Sequence, residues 1–175
     1  MRRWLALAAL SAGALASTLA PARAATFAAT TVEEVARAAD AVVRGRVVAA
    51  TARATSEGRI VTDVDIAVAD AWKGAPEPVV RVVVPGGRLP DVAMRVEGAP
   101  AFVAGEEVVV FLHRRGAGWN VSGLALGKYR VEDGEAKPAS SGAAILPRGA
   151  PLPEGERQVG PMSVAELERR VRAAR

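Results

Sequence analysis

Hydrophobic and polar positions change rhythm several times along this chain, and each change marks an element. From Trp4 to Ala20 the residues are apolar apart from Ser11, Ser17 and Thr18, with no period. From Thr31 the spacing becomes helical. Thr31 and Glu34 have the spacing of a capping box, in which the hydroxyl accepts from the third helical amide and the glutamate reaches back. A short helix is expected from there to near Asp40.

From Ala41 the period drops to two. Two long alternating runs flank Ser56-Glu57-Gly58-Arg59, which predicts a β-hairpin closed by a two-residue Glu57-Gly58 turn. That register places Val43 opposite Trp72, Val47 opposite Val68, Ala49 opposite Ile66 and Thr51 opposite Val64 on one face. Arg44, Arg46, Asp63 and Asp65 fall on the other. Gly45 would then face Asp70 on the apolar side, which predicts either a β-bulge near Asp70 or a buried functional carboxylate.

Further strands are expected at Val79–Val84, Glu106–His113, Trp119–Leu124 and Lys128–Val131, the first two apolar enough to be covered on both faces. A loop of about twenty residues, Pro85 to Gly105, separates them, with one short strand at Met94-Arg95-Val96. Residues 135–162 are rich in Pro, Gly, Ala and Ser and read as a loose connection. Residues 163–175 read as a helix opened by a second capping box, Ser163 and Glu166. Its apolar stripe is Val164, Leu167 and Val171, with Glu166–Arg170 and Glu168–Arg172 pairs alongside. It is expected to cover the outer face of the third or fourth strand.

The apolar start changes what the rest can mean. Arg2 and Arg3 precede the run, Pro21 breaks it, and Ala22-Arg23-Ala24 is a small-x-small site that places cleavage between Ala24 and Ala25. A run of about 17 residues lies at the lower limit for spanning a bilayer, and Ala, Ser and Gly dilute it. Residues 1–24 therefore read as a cleaved signal peptide, and no stable membrane anchor is expected. The absence of Cys excludes a lipobox and disulfides alike, so an exported domain, 25–134, must hold itself together by its core. The arginine pair lacks a polar lead-in, which favours the general secretory route to a periplasmic or secreted location. An excess of Arg over Lys, with abundant Ala, Val and Gly, is bacterial in character.

Export also removes an electrostatic argument. The chain has 23 basic and 19 acidic residues and a pI near 10.3. Arg2, Arg3 and Arg23 leave with the signal, which brings the mature chain close to neutrality. Nucleic acid is therefore not an expected partner. The scarce aromatics, Phe27, Trp72, Phe102, Phe111, Trp119 and Tyr129, give no evident stacking platform.

Six short strands opening on a hairpin suggest a small closed β-barrel of the OB type, of five to six strands, with a helix before and after. Here a resemblance enters. Ala39-Asp40-Ala41-Val42-Val43-Arg44-Gly45-Arg46-Val47-Val48, a long strand ending in Trp72-Lys73-Gly74, and Gly105-Glu106-Glu107-Val108-Val109-Val110-Phe111-Leu112 resemble the netrin-like OB domain of the tissue inhibitors of metalloproteinases. The same Ala-Asp, Trp-Lys-Gly and Pro-Gly-Gly landmarks resemble a group of uncharacterised secreted bacterial proteins. The likeness covers roughly residues 39–131. It implies a protein partner, such as a secreted metalloprotease. In those inhibitors the first mature residue is a Cys that chelates the protease zinc; here it is Ala25, so that wedge is missing.

No catalytic, cofactor or metal constellation stands out. His113 is the single histidine, without a Gly-x-Ser-x-Gly elbow to supply a nucleophile. With no Cys it makes a poor zinc site. Asp63 and Asp65 share a face but meet no second acidic pair. Gly123 to Lys128 is one residue short of a phosphate loop and is followed by Tyr129. The expected function is a non-catalytic binding module whose contact loop carries Pro85, Gly86, Gly87, Arg88, Asp91, Met94, Arg95 and Glu97. Alternatives are a structural envelope protein without a discrete partner and a hydrolase using His113. The loop could equally fold Leu89, Val92, Met94 and Val96 back to plug one end of the barrel. Intact-mass measurement of the protein recovered outside the cytoplasm should give a chain beginning at Ala25; recovery of the full chain in the inner membrane would refute cleavage.

Overall fold

The computed structural model describes residues 31–74, 76–116, 118–139 and 160–174. The export signal and its Ala24–Ala25 junction lie outside these residues. Helix α1 spans Val32–Ala38, and its capping box forms as expected: Glu34 N–H donates to Thr31 Oγ1 at 3.0 Å and Thr31 N–H to Glu34 Oε2 at 2.9 Å. Strands β1 (Ala41–Ala54), β2 (Ile60–Lys73), β3 (Val79–Pro85), β4 (Gly87–Arg88), β5 (Ala93–Met94), β6 (Glu107–Arg115) and β7 (Gly118–Val121) follow. A 3-10 turn at Leu124–Gly127 leads to β8 (Lys128–Glu132), β9 (Glu135–Pro138), β10 (Met162–Ser163) and helix α2 (Val164–Ala173).

The fold is mainly β, and five of its strands form a ring. β1 pairs with β2, β2 with β3, β3 with β7, β7 with β6, and β6 again with β1. All contacts are antiparallel except β3–β7, a parallel link at the single pair Val82–Trp119. β8, β9 and β10 extend the sheet from β6. Two apolar clusters result. One takes residues from all five ring strands, including Val43, Ile66, Val82, Val110, Leu112 and Trp119. The other joins Val42, Val109, Phe111 and Tyr129 to Leu167 and Val171 of α2 and Val32 and Val35 of α1. β6 serves both, which is why Val108 to Leu112 are uniformly apolar and buried. β3 does not. Only Val80, Val82 and Val84 are buried, while Val79 is 52% exposed, so its run of valines faces a core on one side alone.

The hairpin forms with a different turn. Thr55 N–H donates to Arg59 O at 2.7 Å and Gly58 N–H to Thr55 O at 2.9 Å. This leaves a three-residue loop, Ser56–Gly58, with Gly58 at φ +75°. Pairing at the loop end is therefore one residue off the expected register, with Thr51 facing Asp63 and Ala49 facing Asp65; further along, Val47 faces Ile66, two residues off, and Val43 faces Ala71, one off. Ala49 and Thr51 leave the core, whereas Val43, Val47, Val64 and Ile66 stay in it. Three register shifts along β1 absorb the difference. One, between Arg44 and Gly45, sets Arg44 against Asp70 and Gly45 against Val68. The irregularity expected near Asp70 is thus present, and Asp70 is exposed. Beyond it Trp72 turns to the helix-side cluster, away from Val43. Gly45 is glycine because a Cβ would lie 2.3 Å from the Ala67 carbonyl oxygen.

The stretch 135–162 read as loose connection contains ordered strand at both ends, since Glu135–Pro138 pairs with β8 and Met162 faces Ala136. The short strand expected at Met94–Val96 is instead Ala93–Met94, paired with Gly87–Arg88. In α2 the Ser163 hydroxyl accepts from Glu166 N–H at 3.1 Å, and Glu168–Arg172 forms as expected. Glu166–Arg170 does not form, because Arg170 reaches across to α1. Its guanidinium grips Glu33 by two bonds, 2.5 and 2.8 Å.

Arg170 holds the Glu33 carboxyl below the ordinary glutamate range. A depressed folded pKa stabilises at pH above the unfolded value, about 4.3, and loses that contribution as pH falls through the lower folded value. Glu33→Gln should cost roughly 1 kcal/mol at neutral pH, discounted for partial exposure. The gap from the parent should close on acidification below about pH 4 in urea titrations.

Candidate functional site: the loop and cleft at one end of the strand ring

The loop from Pro85 to Gly105 is fastened along its length. At its start Gly86 N–H donates to Ile60 O at 2.9 Å, and Thr62 Oγ1 donates to Gly86 O at 2.8 Å. The β4–β5 hairpin is closed by Leu89 N–H to Val92 O at 2.8 Å. In the middle, Gly98 O accepts from Ala125 of the 3-10 turn at 3.0 Å. At the end, Gly105 N–H donates to Val47 O at 2.8 Å while Val47 N–H donates to Glu106 O at 2.9 Å.

The return leg of the loop meets the apolar interior. Ala99 and Phe102 pack against the ring cluster. The residues expected to plug the end do less of this: Val92 and Met94 are 54% and 37% exposed at the hairpin, and Leu89 and Val96 are half-buried. Phe102, partly buried, fills that role at the rim. Between the hairpin and the ends of β2 and β3 lies a cleft of about 450 Å³, whose walls include Thr62, Val84 and Phe102. Of the predicted loop residues, Pro85, Gly86, Gly87, Met94, Arg95 and Glu97 line this cleft. Arg88 and Asp91 are exposed on the hairpin outside it. The structure thus gathers six of the eight around one concavity.

The polar anchor of the loop went unrecognised in the sequence. Lys128, the last residue of the rejected phosphate-loop segment, is almost wholly buried at 1% exposure. Its Nζ lies 2.6 Å from Glu106 Oε1, donates to the Ala101 carbonyl, and sits 4.2 Å from the centroid of the Phe102 ring. Glu106 also accepts from Val103 N–H at 2.9 Å and Arg130 Nε at 3.2 Å. Burial pushes the Lys128 ammonium below the ordinary lysine range, and the Glu106 carboxylate opposes the shift. The three ammonium contacts satisfy a charge that would otherwise be costly in an apolar setting. Alternation could not reveal it, because Lys128 opens a strand in which Tyr129 is buried as well.

The other candidates fall into place around this arrangement. His113 is half-buried, with Nδ1 3.4 Å from Ser122 Oγ, and among the described residues no carboxylate is hydrogen-bonded to it. Asp63 and Asp65 are each held by an arginine fork, Asp63 by Arg53 at 2.7 and 3.1 Å and Asp65 by Arg81 at 2.7 and 2.8 Å. Those bonds hold the Asp65 carboxyl below its ordinary range. Trp119 is buried, with the Arg114 guanidinium 4.2 Å from its ring centroid, so it offers no open face to a sugar. Among the described residues no three His, Cys, Asp or Glu side chains cluster as a metal site, and no helix is long and apolar enough to cross a membrane.

The chain matches no family model, and a search of curated proteins finds no match either. Geometry therefore carries the argument. Lys128→Met should leave Glu106 buried without its ammonium and cost roughly 3 kcal/mol in urea unfolding. Hydrogen exchange at the Val103 amide should speed up in the same variant. Adding Glu106→Gln should recover part of the loss, and an additive double variant would show the pair to be uncoupled.

Proposed function

We propose that this chain is an exported, non-catalytic binding module that contacts a protein partner through the loop from Pro85 to Gly105. The observation that carries the reading is the contrast within that loop. Its return leg is pinned by Lys128, Glu106 and Phe102. Its hairpin instead presents the apolar Val92 and Met94 to solvent beside Arg88, Asp91, Arg95 and Glu97. A fixed loop with an exposed apolar tip and charges of both signs suits protein recognition, because ordering it on binding costs little.

The ring order β1-β2-β3-β7-β6-β1 supports the finer reading as an OB-type barrel. It also fits the netrin-like resemblance, which points to a secreted metalloprotease as the partner class. Without a terminal Cys, contact would run through the loop, with no chelation of the protease zinc. The non-catalytic reading rests on the engagement of the ionisable groups: Asp63 and Asp65 are tied to arginines, and among the described residues the His113 ring has a hydroxyl neighbour and no hydrogen-bonded acid. Export to the periplasm or medium remains part of the proposal.

The test replaces residues 88–97 with a Gly/Ser stretch in the mature chain. Urea unfolding should change by less than about 1 kcal/mol, since this segment contributes few core side chains. Binding to the secreted metalloproteases of the same organism, read by surface plasmon resonance, should be lost. Retained binding with the loop replaced would remove the loop assignment. Absence of binding by the parent would remove the protease partner.

A further inference from the structure

The two halves of β1 differ in how their edges are covered. Val42 to Arg46 pair with β2 on one side and β6 on the other. Val47 exchanges bonds with Gly105 and Glu106. Beyond it β1 runs on to Ala54 with β2 as its one partner strand among the described residues. Thr55 N–H donates to Arg59 O across the hairpin. Alternation from that bond aims the amides and carbonyls of Ala50, Ala52 and Ala54 away from β2, towards the open edge.

Natural sheets blunt such an edge with proline, a bulge or an inward charge. Here the register from Ala49 to Ala54 is unbroken and the segment contains no proline. Its single charge, Arg53, is neutralised on the neighbouring strand by Asp63. The rest is alanine and threonine, small enough for another strand to approach closely.

We propose that a second copy of the chain adds its own β1 to this edge, antiparallel, about a two-fold axis at Ala52. The segment is its own complement. Ala52 would face Ala52, Thr51 would face Arg53, and Ala50 would face Ala54. No like charges stand opposite each other, and each Arg53 keeps its own Asp63. Such an isologous contact uses the same patch twice and closes as a dimer. Its chemistry is main-chain pairing between small side chains, so the dimer is weak and concentration-dependent. The inference is independent of the loop and of its partner.

Sedimentation equilibrium of the mature chain over a concentration series reads the association. The parent should move from monomer to dimer as concentration rises. Ala52→Pro should stay monomeric with an unchanged far-UV spectrum and unfolding midpoint, because the Ala52 amide faces away from β2 and no other strand pairs with it among the described residues. Should that variant fail to fold, Ala52→Cys supplies a second reading. The chain has no Cys, so any disulfide joins two copies. Directly opposed residues of a hydrogen-bonded antiparallel pair have Cα atoms about 5.5 Å apart, within disulfide reach. Ala52→Cys should cross-link at least about tenfold faster than Thr51→Cys, whose counterpart on the mate is Arg53, each tenfold being about 1.4 kcal/mol in barrier. A parent that stays monomeric at every concentration would overturn the proposal. So would a dimer indifferent to Ala52→Pro, or equal cross-linking at positions 51 and 52.

Discussion

Backbone hydrogen bonding along the first half of β1 runs in both directions at once, and the rest of the molecule is arranged around that fact. Five residues, Val42 to Arg46, are matched to β2 on one edge and to β6 on the other. A strand held on both edges sends successive side chains to opposite faces of a sheet that must be covered twice. Ala41 and Val43 go into the ring, and Val42 goes to the helices. β6 repeats the division, with Val108, Val110 and Leu112 inward and Val109 and Phe111 outward. The outward residues are why two helices are needed. α1 and α2 cover them and are tied together by Glu33 and Arg170. Near the end of the doubly paired segment Gly45 lets the Ala67 carbonyl approach where any side chain would collide.

Charge is distributed by the same logic. Most ion pairs sit on exposed strand faces or helix surfaces, where each contributes little. Lys128 and Glu106 are different, with side chains 1% and 8% exposed. Replacing both with apolar residues of similar volume would cost little in principle. What an apolar pair could not do is hold a carbonyl and an amide of the loop, as these two hold Ala101 O and Val103 N–H. The pair supplies position where a hydrophobic contact would supply only adhesion. It lies at the rim of the interior cluster, beside Phe102.

Much of this could be read from the sequence because alternation and capping are local. The Thr31–Glu34 box, the two long strands, the doubly buried β6 and the helix face of Leu167 and Val171 all follow from spacing. What escaped depends on backbone detail or on distant partners. A two-residue and a three-residue turn both accept Gly58 at positive φ, and the choice between them moves the pairs from Ala49 to the turn by one. Register shifts at Val42 and Val47 carry no mark in composition, unlike the one at Arg44, which Gly45 opposite Asp70 announces. β9 is the short Glu-Ala-Lys-Pro segment, which becomes a strand only because β8 offers it an edge. Arg170 has a suitable glutamate one turn away and chooses Glu33 instead, a residue 137 positions distant in the chain. The candidate loop was legible as a long interruption between strands. Its anchor was not, because burial of a lysine is set by neighbours contributed from the loop and β6.

Both exposed features of the molecule trace to the point where β1 and β6 part company. β6 begins at Glu107, so its pairing with β1 stops at Arg46. At that point Val47 exchanges bonds with Gly105 and Glu106, and the chain leading into β6 turns aside. The loop must therefore re-enter beside β1, and Glu106 is carried inward to meet Lys128. β1 meanwhile continues to Ala54 with β2 as its one paired strand among the described residues. Had β6 run further back along β1, the same residues would have covered the open edge. They would then have been spent on a ladder and left no loop to close the ring's end. The fastened loop and the strand edge that no described strand covers are two consequences of a single mismatch in strand length.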